Sequence, residues 1–240
     1  TLDGTTYKTD GVTIYEAAAG NTILLTGASP TITTTNDNLT FDGGNIVLST
    51  AGTTTIDTEL GGSGGGNVLI DGTIDGTDGE NEALVIESGS GNVQLQGAIG
   101  ATNPLTTITI NSSGAGTVEV TNIGGGSAGA TGAVNIGNSA TTTLTLDGTV
   151  YKTGTGATDY EAKAGNTILL TGVSPTVTTG GGDLSFSTGN IVLSNAGTTT
   201  FTTGTGTGGN ITVAATIDGT DSENEALVIE SGSGNVQLQG

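Results

Sequence analysis

The chain has 240 residues, with 45 glycines, three basic residues (Lys8, Lys152, Lys163), 23 carboxylates and a formal net charge of −20. A chain this acidic repels phosphate backbones and anionic bilayer surfaces, so nucleic acid is excluded as a partner, and no run of about 18 apolar residues provides a membrane insertion segment. Cys, Met, Trp, His and Arg are absent, which leaves no disulfide framework and suits an oxidising extracellular setting.

From the first residues onward, short alternations of Val, Ile, Leu or Thr with polar residues are bounded by Gly, Asn, Ser and Asp, the pattern of short β-strands. Asn45-Ile46-Val47-Leu48 and Thr53-Thr54-Thr55-Ile56 are early examples. Val93-Gln94-Leu95-Gln96, Leu105 to Ile110, Val118-Glu119-Val120 and Leu144-Thr145-Leu146 follow. Gly and β-branched residues dominate, so helix is nearly excluded. Thr-rich stretches such as Thr33 to Thr35 and Thr198 to Thr200 read as solvated strands. The chain is expected to be folded and all-β.

Repetition organises these strands. Glu80 to Gly97 reads ENEALVIESGSGNVQLQG, and Glu223 to Gly240 is identical. Thr1-Leu2-Asp3-Gly4 with Tyr7-Lys8-Thr9 returns as Thr145-Leu146-Asp147-Gly148 with Tyr151-Lys152-Thr153. The chain is thus a first long repeat, residues 1–144, and a truncated second copy, 145–240. It begins without Met and stops inside the second copy, and is expected to be a window of a longer polypeptide.

A shorter beat runs inside the long one. Gly-Asn recurs at Asn21, Asn45, Asn67 and Asn92, in steps of 24, 22 and 25, and again at Asn166, Asn190, Asn210 and Asn235. Units of about 24 residues holding two or three strands match one coil of a parallel β-solenoid. The expectation is one continuous β-helix of about ten coils, about six in the first copy and about four in the second. Val93 and Leu95 then point inward over Val68 and Ile70, and those over Ile46 and Leu48. The eight asparagines are expected to stack as one structural ladder, each preceded by a glycine that supplies a turn conformation. Tyr7, Tyr15, Tyr151 and Tyr160 are expected in the core or at a bulge.

The one motif with metal chemistry is the acidic turn. Asp71 to Glu82 places oxygen ligands at positions 1, 3, 5 and 7, Gly at 6 and Glu at 12 of a calcium loop. Asp78 stands at the usually apolar position 8, the flanks are strands, and the second copy has Ala214 for Asp71, so an EF-hand is rejected. A looser calcium site remains as an expectation at Asp75, Asp78, Glu80 and Glu82, echoed by Asp218, Asp221, Glu223 and Glu225. Like charges crowded into one turn repel, and a hard divalent cation offsets that. No other cofactor is implied. Without His, Arg or Trp, no carboxylate pair stands out as an acid and base, so no enzyme is expected.

Gly44-Asn45-Ile46-Val47-Leu48 and Gly91-Asn92-Val93-Gln94-Leu95, with their Gly-rich turns and Thr-rich strands, resemble very large bacterial surface proteins of the filamentous-haemagglutinin type. The resemblance implies a right-handed β-helix, exported and displayed at the cell surface as a fibre or adhesin stalk, with self-association as its partner chemistry. No site residue is carried over from it. The alternative from another class is a calcium-dependent adhesive or carbohydrate-binding module built of β-sandwich repeats.

Overall fold

The computed structural model describes residues 1–60, 64–77, 81–204, 206–220 and 224–240. Among them there is no helix, and every pairing between named strands is parallel. The chain is a β-solenoid of about nine turns, each advancing roughly 26 residues. The β-sandwich alternative does not apply, because antiparallel strand pairs, its defining feature, are missing among the described residues.

Three columns of strands form three faces. The first face stacks ten strands, from Thr6–Thr9 through Thr31–Thr34, Gly52–Asp57, Glu82–Glu87, Thr107–Ile110, Val134–Gly137, Thr158–Glu161, Leu184–Thr188 and Ile211–Val213 to Val236–Leu238. The second face runs from Thr13–Glu16 through Leu39–Asp42, Val68–Ile70, Val93–Ile99, Thr117–Ile123, Thr143–Leu146, Thr167–Leu170 and Asn190–Leu193 to Ile217–Gly219. The third starts at Thr22–Leu25, Asn45–Leu48 and Ile74–Asp75 and ends at Val150–Thr153, Thr176–Thr179, Gly197–Thr202 and Glu225–Glu230. Between those halves, Val93–Ile99 and Thr117–Ile123 bend from the second face onto the third. Their register shifts between Leu95 and Ala98, and Ile99 and Ile123 carry the third column onward to Tyr151.

Alternation along each strand decides what is buried. Val93 and Leu95 are 1 % exposed while Gln94 and Gln96 face out. Their neighbours below are Val68 and Ile70, as expected, but beneath those lie Leu39 and Phe41. Ile46 and Leu48 belong to the third face and sit on Ile23 and Leu25. The core therefore runs the length of the rod, and each layer is closed by the one above it. The second copy of the twin segment shows this directly: Val236 and Leu238 are 44 % and 55 % exposed, because no turn covers them.

Corners are fastened from inside. At the first-to-second corner Thr34, Thr58 and Ser88 are buried, and their hydroxyls donate to the carbonyls of Asp37, Gly66 and Gly91 across the turn. Their counterparts Thr179, Thr203 and Ser231 do the same to Gly182, Gly209 and Gly234, at the third-to-first corner. The second copy has thus shifted by one face. Thr6–Thr9 lies on the first face and its counterpart Val150–Thr153 on the third; Thr22–Leu25 lies on the third and its counterpart Thr167–Leu170 on the second.

This shift corrects the count of six coils per long repeat to five and two-thirds. From Asn45 to Asn67, and again from Asn190 to Asn210, the chain crosses two faces instead of three, and the residues between Asp57 and Val68, or between Thr202 and Ile211, supply the missing length. A step of 22 or 20 residues is there two strands and a connection, not a short coil.

Aromatic side chains fill the core along the first turns of the second copy. Tyr151 and Tyr160 are fully buried, edge to face at 6.4 Å, and Tyr160 stacks on Phe186 at 5.5 Å, which contacts Phe201 at 4.8 Å. The Tyr151 hydroxyl donates to the Val120 carbonyl at 2.9 Å and accepts from the Gly148 amide at 2.7 Å, so a buried phenol is satisfied. Burial pushes both hydroxyls far above the ordinary tyrosine range. Tyr7 and Tyr15 are half-buried, in the turn at one end of the stack.

Candidate functional site

The eight asparagines do not form one column. Asn21 and Asn45 open strands of the third face, Asn67, Asn92, Asn166 and Asn190 of the second, and Asn210 and Asn235 of the first. The cause is the two-face step described above. Where asparagines do stack, the side-chain oxygen accepts a backbone N–H from the next layer. Asn38 accepts from Asn67 at 2.8 Å, Asn67 from Asn92 at 2.8 Å, and Asn92 from Thr117 at 3.0 Å. In the second copy Asp183 accepts from Asn210 at 2.7 Å, and Asn210 from Asn235 at 3.0 Å. Elsewhere Asn45 accepts from the Thr73 amide, and the Asn166 amide group donates to the Thr142 carbonyl.

Asp183 stands where the first copy has Asn38, so the ladder requires an acceptor and tolerates the loss of the amide donor. Asn67→Asp is therefore expected to change the unfolding midpoint little, whereas Asn67→Leu strands the Asn92 N–H and lowers stability by about 0.5–1.5 kcal/mol in urea denaturation. The glycines beside the ladder serve a different need from the one the sequence implied. Gly20 does have a positive φ of 80°, but at Gly91 a Cβ would lie 2.2 Å from the Gly66 carbonyl oxygen, so close stacking of backbones excludes a side chain.

Beside Asn38, Asn67 and Asn92 runs a groove of about 250 Å³, floored by Thr40, Leu69 and Gln94 in register on successive turns. One step further along the same strands lie Asp42 and Asp71. Burial, and a hydrogen bond that the protonated Asp71 carboxyl donates to the neighbouring Asp42 carboxylate, raise the Asp71 carboxyl above its usual value.

The acidic turns divide between described and other residues. Asp78, Glu80, Asp221 and Glu223 lie outside the described residues. Asp75 is on the third face, and one of its oxygens accepts from the amides of Thr102, at 2.9 Å, and Asn103. Glu82 is 1 % exposed, and its Oε1 accepts from the Thr77 amide at 3.1 Å and hydroxyl at 2.6 Å. Glu225 repeats this bond with Thr220 at 2.9 and 2.6 Å, and these bonds lower its carboxyl below the usual value. Asp218 lies on the second face, opposite Val192. Glu82 and Glu225 thus fasten their own turns and Asp75 holds the next one, and no group of three or more acidic side chains is gathered for a cation among the described residues.

Asp159 is a separate electrostatic feature on the first face. Its Oδ2 accepts from the Ser187 hydroxyl at 2.9 Å, its Oδ1 is buried without a partner, and burial raises its carboxyl above the ordinary 3.8. The folded chain therefore holds this proton more tightly than the unfolded one. Its contribution favours folding below pH 3.8 and turns against it as pH rises through the raised folded value. Asp159→Asn is expected to raise the melting temperature at pH 7, with the gain vanishing in acid. Equal gains at both ends of a calorimetric pH series would refute this.

Comparison of the chain with family models, curated proteins and solved structures finds no match in any of the three.

Proposed function

We propose that this chain is a non-enzymatic, rod-forming segment of a large secreted bacterial surface protein, serving as an extracellular fibre or adhesin stalk. The observation that carries this reading is the unbroken parallel pairing on the first face, from Thr6–Thr9 to Val236–Leu238, straight through the junction between the two copies. A chain that repeats without a domain boundary gains length with each copy and little else. The acidic, Cys-free and Met-free composition and the Gly-Asn-[Ile/Val]-x-Leu resemblance to filamentous-haemagglutinin-type proteins support display outside the cell. Self-association of such rods follows as the partner chemistry, with calcium as a cross-linker at the acidic turns around Asp75 and Asp218. Calorimetric titration with calcium tests the cross-linker alone, and no heat at millimolar ion removes it.

The rod reading is tested by electron microscopy of polypeptides carrying increasing numbers of the long repeat. At a strand spacing of about 4.8 Å, each added copy should lengthen the particle by about 27 Å at constant width. Particles that grow in width, or as beads, would overturn it. Antibody labelling of intact source cells tests the surface placement, and labelling only after lysis would remove it.

A further inference from the structure

We propose that the groove along Asn38, Asn67 and Asn92 binds an uncharged, extended glycan chain lying parallel to the rod axis. The proposal deepens the adhesin-stalk reading and rests on it for its biological setting.

Three rows of side chains meet there with complementary hydrogen-bonding character. The ladder consumes the Oδ1 atoms of Asn38, Asn67 and Asn92, while their Nδ2 groups have no protein acceptor among the described residues. That leaves donors facing the groove at intervals of about 4.8 Å. Asp42 and Asp71, on the far side of the same strands, offer acceptors. Between the two rows the floor is short, with the half-buried Leu69 flanked by Thr40 and Gln94. Hydroxyl groups both donate and accept, so a sugar satisfies both rows, and the C–H face of its ring can cover Leu69.

Spacing and charge narrow the class. Donors repeating along a straight line at the strand interval need a ligand that repeats in a straight line, which a ribbon-like β-linked glycan does and a coiled α-linked one does not. No Lys or Arg lines the groove and the chain carries −20, so a polyuronate or sulfated chain meets net repulsion. The second copy keeps Asn210, Asn235 and Gln237 but has Asp183 and Thr212 in place of Asn38 and Leu69, and so lacks the first donor and the apolar floor.

The test is calorimetric titration of the whole 240-residue chain with a soluble cello-oligosaccharide, alongside a malto-oligosaccharide and an oligogalacturonate of equal length. Binding is expected for the first alone. Asn67→Asp, which keeps the ladder acceptor and removes one donor, is expected to weaken it about tenfold, and Leu69→Glu, on the solvent side of the sheet, at least as much. Circular dichroism melting should show both variants folded. Absence of binding to the wild-type chain, affinity unchanged from wild type in both variants, or preference for the malto-oligosaccharide or the oligogalacturonate would each overturn the proposal. A failed titration leaves the rod-length measurement unaffected, and beaded particles leave the titration unaffected, so the two readings fail separately.

Discussion

Replacing Leu95 with Asp is expected to destabilise its region of the rod by about 4 kcal/mol or more, while Leu238→Asp costs under about 1 kcal/mol. Both leucines sit in the same eighteen-residue sequence, so local propensity is identical. What differs is the packing around them, above all the presence of a layer above. Leu95 is packed between Ile70 and Val120 on adjacent turns at 1 % exposure. Leu238 rests on Val213 with 55 % of its surface in solvent. A carboxylate at Leu95 is sealed from water with no cation near, whereas one at Leu238 stays hydrated. Because stacked repeats unfold in parts, amide hydrogen exchange is the measurement of choice. Protection should fall across Val68–Ile70, Val93–Leu95 and Val118–Val120 in the first variant and be nearly unchanged there in the second. Equal losses would mean that sequence, and not stacking, stabilises these strands.

The second large effect is expected at a glycine chosen by its neighbours. At Gly148 a Cβ would lie 1.3 Å from the Thr121 carbonyl oxygen of the turn below, so Gly148→Ala must push two layers apart. Its φ is not in the left-handed region, so close approach alone is responsible. The same backbone donates to the Tyr151 hydroxyl, at the start of the second copy's aromatic cluster. A loss of about 3 kcal/mol or more is expected, at the upper end for overpacking. Gly126→Ala is the control: nothing lies within 4 Å of the place its Cβ would occupy, and the shift should be near zero or slightly stabilising. Urea midpoints for the pair check this, and similar values for both would contradict the close-packed corner.

These two experiments also mark what the residues alone make legible. Val93 to Gln96 shows its two faces in its letters, because alternation reports burial whatever the turn geometry. The parallel solenoid follows from short strands repeating at nearly constant length. The path from Asn45 to Asn67 is not legible in this way. Gly-Asn marks where a strand begins but not which face it joins, and two strands with a long connection occupy nearly as many residues as three strands with short ones. Thr34, Thr58 and Ser88 escape a reading of the sequence for a related reason: a hydroxyl residue ending a strand resembles a solvent-facing one until a turn carbonyl is found inside the corner. In the acidic turn, Glu82 is spaced as a ligand, yet its register opposite Gly52 draws it inside to hold Thr77. The groove along Asn38, Asn67 and Asn92 is only partly marked in the sequence: Asn67 and Asn92 carry the Gly-Asn motif, but Asn38, 29 residues before Asn67, follows an aspartate.

The displacement of the second copy by one face carries a geometric consequence for any longer array built at the same interval. A feature pointing north on one copy points a third of a revolution away on the next, and regains its heading only on the fourth. Such a shaft has no preferred flank. Neighbours can grip it from every side, so crowded rods would knit into a three-dimensional mesh instead of a flat ribbon, and small bends in one copy would cancel against those of its successors.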